Sequence, residues 1–227
     1  GTDITAQDGR VLFRGDALTI AKANLSLSVA ERVLIQLGQF PAYSFEELFQ
    51  GMRSIPLEQW IGKDDAFPVK GHALDSKLHS VPDCQSILKK AAVERLKSVY
   101  HTSWFTESGA IHPLHFTIRK NIAAIYLDTS GIGLHKRGYR KNANAAPIKE
   151  TLAAGIVDLA RVHSDSVVCD PFCGSGTILI EAAFKALRIA PGMHRRFLAE
   201  KWAQIPESVW KEARSEAEAR IQRDATF

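Results

Sequence analysis

Nine residues, Cys169-Asp-Pro-Phe-Cys-Gly-Ser-Gly-Thr177, bring together the groups that hold a zwitterion. Asp170 accepts a hydrogen bond from an ammonium group. The N–H groups of the loop and the positive end of a following helix favour a carboxylate. A ligand carrying both is an amino acid. No Lys follows Gly176, which argues against a phosphate-binding loop, and the third glycine of a dinucleotide fingerprint is missing. Cys173 has no His or other base beside it in sequence and reads as a small apolar group. His112, His115 and His135 lack metal-ligand spacing, and Cys84, Cys169 and Cys173 form an odd set with no second pair to complete a zinc site.

Such a loop needs a strand before it and a helix after it. Val167 and Val168 suit a buried parallel strand ending at Asp170, Gly174 and Gly176 allow the turn, and Ile178 to Leu187 is apolar enough to pack a helix back on a sheet. Upstream, Pro147 opens a helix to about Arg161. Residues 10–14 alternate as a strand, Asp16 caps a helix through Ala30 and Arg32 to Leu37 resumes strand character, which reads as a small β-α-β unit. Helices are expected over residues 45–52 and 82–99, an extended piece over 67–71, and two strands, 114–120 and 122–128, joined as a hairpin at Lys120-Asn121. Residues 207–220 interleave acids and bases at helical spacing and read as a solvated helix.

The chain has 227 residues, 45% of them hydrophobic, enough for one large or two modest cores. Its longest apolar runs fall short of a membrane span, no leader opens it, and three cysteines read as reduced thiols, so the expectation is a cytoplasmic protein with no membrane and no metal. The net charge is +4, but between Arg119 and Lys149 seven basic residues face Asp128 alone. Within that stretch Lys136, Arg137, Tyr139, Arg140 and Lys141 combine cations with an aromatic ring, which suits phosphates and an unpaired base. The competing reading is a linker whose arginines pair with carboxylates of the adjoining domain. Lys70, Lys77, Lys89 and Lys90 lie on or between the extended piece over 67–71 and the helix over 82–99 and are further candidates for phosphate contact.

The string Asp-Pro-Phe-Cys-Gly-Ser-Gly-Thr, with Glu181-Ala-Ala downstream, closely resembles the S-adenosylmethionine (SAM) motif of class I RNA methyltransferases. Phe67-Pro-Val-Lys70, Ser80-Val-Pro-Asp-Cys-Gln85 and Leu127-Asp-Thr-Ser-Gly-Ile-Gly-Leu-His-Lys-Arg-Gly-Tyr-Arg140 resemble a THUMP RNA-binding domain and its exit. Ala146-Pro-Ile-Lys-Glu-Thr-Leu-Ala-Ala154 resembles the helix that enters the catalytic domain in the RlmL and YpsC type of ribosomal-RNA guanine-N2 methyltransferases. The match covers almost the whole chain. It implies an α+β THUMP and ferredoxin-like N-terminal part followed by the first part of an α/β Rossmann-like methyltransferase domain. The implied division is a ferredoxin-like lead-in over 1–42, a THUMP domain over 43–130, a basic linker over 131–146 and methyltransferase sequence over 147–227.

By the same resemblance the cofactor is SAM, held by Asp170, Pro171, Phe172, Gly174, Ser175, Gly176 and Thr177, with Lys149 and Thr151 near its carboxylate. The partner is RNA, with large-subunit ribosomal RNA first, which makes Lys70, Lys77, Lys89 and Lys90 candidates for RNA contact. Relatives continue past the position of Phe227 into a ribose-holding acidic residue and an Asn/Asp-Pro-Pro-aromatic motif that receives the target amine, and neither is in this sequence. The expectation is therefore half a cofactor site, no catalytic residue in 1–227, and weak SAM affinity without methyl transfer by this stretch alone. The alternative is a non-catalytic THUMP-type RNA-binding protein with a vestigial glycine loop.

Overall fold

A computed structural model describes residues 1–140 and 147–223. In chain order its elements are β1 (Thr2–Gln7), β2 (Arg10–Arg14), α1 (Ala17–Ser26), β3 (Leu34–Pro41), α2 (Phe45–Ser54), β4 (Val69–Leu74), α3 (Val81–Tyr100), β5 (Leu114–Arg119), β6 (Ile122–Asp128), α4 (Glu150–Leu159), α5 (Thr177–Ala186) and α6 (Glu207–Ala219). The chain divides into two compact units, Leu34–Gly131 and a second made of Gly1–Val33 with Ile132–Phe227.

The Leu34–Gly131 unit is a four-stranded sheet in the order β3-β6-β5-β4. β4 and β5 run parallel, joined by the crossover helix α3, while β3–β6 and β5–β6 are antiparallel. The β5–β6 hairpin turns on Lys120 (φ 51°) and Asn121 (φ 61°), both left-handed as a two-residue turn matched to strand twist requires. Asn121 tolerates that conformation and also accepts a hydrogen bond from the Lys77 amide at 2.8 Å.

Alternate residues of the strands turn Phe40, Phe116, Ile118 and Ile125 toward α2 and α3, and side chains at helical spacing, Leu48 and Met52 on α2 and Leu88, Ala92 and Leu96 on α3, fill the other half of the core. Close approach decides one residue type: a Cβ on Gly71 would lie 2.1 Å from the Phe116 carbonyl oxygen. Burial of each large apolar side chain here contributes about 1.5–3 kcal/mol, so the two-helix, four-strand layer carries the stability of this unit.

In the second unit β1 and β2 form a hairpin around Gly9 (φ 72°), α1 packs on α6, and α4 packs on α5. Asp16 caps α1, accepting from the Thr19 amide at 2.8 Å, as its sequence position indicates. The β-α-β unit expected over residues 10–37 is not formed. β2 finds its partner in the preceding strand β1, whose polar sequence Thr-Asp-Ile-Thr-Ala-Gln gives little strand signal, α1 ends at Ser26, and β3 pairs with β6. Phe197 stacks on Trp210 at 5.4 Å, anchoring α6.

Among the described residues no helix is long and apolar enough to cross a membrane, and no group of three or more His, Cys, Asp or Glu side chains is placed to hold a metal ion.

Candidate cofactor site

The glycine loop stands where the sequence puts it, but the strand before it does not form. Residues 166–170 belong to no sheet. A strand is defined by hydrogen bonds to a neighbour, and no neighbouring strand is present among the described residues of 147–223. The segment still alternates: Val168, like Ile178, packs against the Val157, Val162 and Ala182 cluster, whereas Val167 is 98% exposed. Half of the burial expected for this strand is thus in place, on its helix-facing side.

At the end of that segment Asp170 Oδ1 accepts from the Phe172 amide at 3.1 Å, a tight local turn in which Oδ2 has no hydrogen-bond partner among the described residues. Pro171 and Phe172 follow, with the Phe172 ring 94% exposed. Gly174 (φ 55°) and Gly176 (φ 71°) both lie in the left-handed region, where a Cβ costs about 1–2 kcal/mol. Around Gly176 a Cβ would meet no atom within 4 Å, so glycine serves the backbone angle there and keeps the surface open to a ligand. The Gly176 amide closes the turn on the Cys173 carbonyl at 2.7 Å, and the first helical bond runs from the Ile180 amide to the Gly176 carbonyl at 2.9 Å. The amides of Thr177, Ile178 and Leu179 are therefore orphan donors at the positive end of α5.

The side of the loop is built by three further pieces of the same unit. Thr177, 2% exposed, receives Arg140 Nη2 on its hydroxyl at 2.7 Å and lies 3.1 Å from the Ser175 hydroxyl. Arg140 also donates to the Ile148 carbonyl and sits 3.5 Å from the buried Glu150. One turn along α5, the carboxylate of Glu181 accepts from Arg137 at 3.4 and 3.5 Å and from the Tyr139 hydroxyl at 3.1 Å. Arg137 also donates to the carbonyls of Leu134, through Nη1, and Ser28, through Nη2. Burial raises the pKa of Glu181 against the opposing pull of Arg137, and burial with the adjoining Glu181 charge raises that of Tyr139, which stays a neutral donor. Arg195 holds the approach to this segment through the carbonyls of Ile132, Gly133 and Lys136. Lys149 is exposed at the N-cap of α4 and Thr151 is buried in its first turn.

The loop 136–140 thus joins the cofactor side through its arginines and tyrosine, which is the arrangement of the competing linker reading. Only Lys136 of that group is exposed to solvent, and Lys141 lies outside the described residues. In the other unit Lys70, Lys77 and Lys90 are exposed, while Lys89 is engaged by Glu107 at 2.6 Å, the Phe67 carbonyl at 3.1 Å and the face of the Phe67 ring at 3.5 Å. The sequence leaves Arg137 and Arg140 between phosphate contact and pairing with carboxylates, and it does not identify Glu181 and Glu150 as those carboxylates.

Three family models match the chain end to end: the RlmL ferredoxin-like domain over residues 1–34, the THUMP domain over 42–128 and the RMKL-like methyltransferase domain over 137–227. The chain belongs to the THUMP-containing, RlmL-like methyltransferases. Among the members of that family, Bacillus subtilis YpsC, named "Putative RNA methyltransferase", is 46% identical over 226 residues, which are 99% of this chain and 59% of YpsC. A Listeria monocytogenes crystal structure, described as "a predicted N6-adenine-specific DNA methylase", superposes with a TM-score of 0.95 at 47% identity over 98% of this chain and 59% of its own. A third relative, "a putative methyltransferase complexed with SAH", gives 0.93 at 41% identity, covering 99% of this chain and 60% of its own. The chain therefore spans about three fifths of the length of the relatives it matches. These likenesses also show the fold class, a THUMP and ferredoxin-like part with methyltransferase sequence after it.

Proposed function

We infer that the whole protein is a SAM-dependent RNA methyltransferase of the cytoplasm that acts on guanine N2 of large-subunit ribosomal RNA. The observation that carries this reading is the turn through left-handed Gly174 and Gly176 that opens α5 behind Asp170, in a chain 41% identical to a methyltransferase solved with S-adenosylhomocysteine (SAH). The residues fit the cofactor's amino-acid end: Asp170 Oδ2 receives the ammonium group, and the orphan amides of α5 with Ser175 and Thr177 face the carboxylate. Pro171, the exposed Phe172, Gly174 and Gly176 border the nucleoside side, and Lys149 and Thr151, at the start of α4, are assigned to the carboxylate.

SAM supplies the methyl group. Guanine N2 is a weak nucleophile because its lone pair is delocalised into the ring, so the reaction depends on holding an unstacked base in line with the methyl. We assign no catalytic residue within 1–227. The THUMP sequence and the RNA assignment of YpsC support RNA over DNA. Lys70, Lys77, Lys90 and Lys136 are the exposed cations for its phosphates.

The test is methyl transfer. The whole protein is incubated with methyl-tritiated SAM and unmodified ribosomal RNA, and the digested nucleosides are separated. Label in N2-methylguanosine is the expected result. Label in N6-methyladenine of DNA overturns the substrate, and RNA binding with no transfer to any nucleic acid overturns the activity.

A further inference from the structure

Arg140 enters the sequence as a candidate for RNA phosphate and ends in the structure on the glycine loop. Its side chain is 16% exposed, Nη2 donates to Thr177 Oγ1 at 2.7 Å and to the Ile148 carbonyl at 3.3 Å, and Nε faces Glu150 at 3.5 Å. A guanidinium only donates, and a hydroxyl has a single proton. With Arg140 donating into it, Thr177 Oγ1 must send its own proton elsewhere, and the Ser175 hydroxyl oxygen is 3.1 Å away. The reverse order would leave the Thr177 proton without an acceptor at a residue 2% exposed, which costs about 1–3 kcal/mol. Ser175 therefore accepts from Thr177, and its own O–H is free to point out of the turn as a donor. Among the described residues no other partner of that hydroxyl is recorded. The direction of the relay is fixed by the cation at its head.

The segment that carries Arg140 is itself fastened to α5. Thr177 and Glu181 are four residues apart and so share a helix face, and Arg137 and Tyr139 bind Glu181 while Arg140 binds Thr177. Two anchors one turn apart fix both the position and the angle of the segment against the helix.

We propose that Arg140 is a positioning residue for the cofactor's carboxylate: through Thr177 it directs the Ser175 hydroxyl out of the glycine turn, where that hydroxyl donates to the carboxylate of the bound S-adenosyl amino acid. The proposal rests on the cofactor reading above, and its test separates the two. The whole protein is titrated calorimetrically with SAH and with 5′-methylthioadenosine, which keeps the nucleoside and thioether but has no amino-acid end.

Arg140→Met and Ser175→Ala each weaken SAH by roughly tenfold or more, the scale of a hydrogen bond to a charged group, and leave methylthioadenosine unchanged. Because both residues act on one relay, the double variant is little weaker than either single one. Arg140→Lys keeps a charge beside Glu150 but loses the fork that spans Thr177 and Ile148, so it restores SAH affinity only in part. Equal weakening of both ligands by Arg140→Met, or SAH binding indifferent to Arg140→Met and Ser175→Ala, overturns the relay. Should Arg140→Met fail to fold by circular dichroism, Ser175→Ala and Arg140→Lys decide by the same criterion. Wild-type protein that binds neither ligand overturns the cofactor reading itself.

Discussion

The Glu181 carboxylate accepts three hydrogen bonds from two buried or half-buried side chains beside the glycine loop. It is 2% exposed, faces the equally buried Arg137 and receives the Tyr139 hydroxyl. Desolvating both charges offsets much of their attraction, so the intact pair adds little net stability, but removing one partner strands the other. Glu181→Gln is therefore expected to cost about 3 kcal/mol in urea unfolding, and Arg137→Met with Glu181→Leu to recover most of it. A loss below about 1 kcal/mol would mean that the carboxyl, whose pKa burial already raises, carries a proton in the folded protein. The sequence offered pairing of Arg137 and Arg140 with carboxylates as one of two readings, but it did not identify Glu181, Glu150 or Thr177 as the partners. Arg137 and Glu181 stand 44 positions apart, Arg140 and Thr177 stand 37 apart, and a linear charge pattern holds no record of which cation turns inward. The glycine turn was legible because its information is local: two glycines at the spacing of a left-handed turn and an acid before them.

Among elements, α3 and the β5–β6 hairpin could be read in advance because each carries a strong single period and a definite boundary, Pro82 for the helix and Lys120-Asn121 for the turn. The strand expected before the glycine loop could not be decided that way, since Val167 and Val168 report a preference for extended backbone and say nothing of the neighbour that completes a ladder. The loop entering β5 carries a pH-dependent element of its own. His112 is 2% exposed with its backbone amide on the Ala66 carbonyl at 2.7 Å, and Asp65 Oδ2 is 3.5 Å from Nδ1. Burial holds its pKa below the ordinary 6.5, against the opposing pull of Asp65. The folded state thus keeps the ring neutral where the unfolded chain takes up a proton, so this contribution to stability is complete above about pH 6.5 and is lost as the pH falls below it. Melting of the Leu34–Gly131 unit should fall by roughly 4 °C more between pH 7.5 and 5.5 in the wild type than in His112→Leu. Parallel curves for the two proteins would assign the acid sensitivity to other groups.

For the molecule as a whole, the basic excess resolves into cations with different duties. Arg137, Arg140 and Arg195 are turned into the protein, where they fasten the 132–140 segment, and Lys89 is held by Glu107 and Phe67. Lys70, Lys77, Lys90 and Lys136 remain at the surface. If those four meet phosphates, replacing them by Ala flattens the log–log salt dependence of RNA binding by about 0.7–0.9 unit per lost contact. Arg137→Met lowers stability and leaves that slope alone. A slope unaltered by the four lysine changes would remove them from the RNA surface and send the search for it elsewhere on the Leu34–Gly131 unit.

The central claim is that the Asp170–Thr177 loop holds SAM by its amino-acid end, and equilibrium binding of radiolabelled SAM to the whole protein tests it most directly. The account predicts saturable binding at one site per chain, displaced by SAH. It also predicts a loss of roughly tenfold or more on Asp170→Ala, which removes the ammonium acceptor while the fold, read by circular dichroism, stays intact. Wild-type protein that shows no saturable SAM binding, or an Asp170→Ala variant that binds as tightly as the wild type, would contradict it.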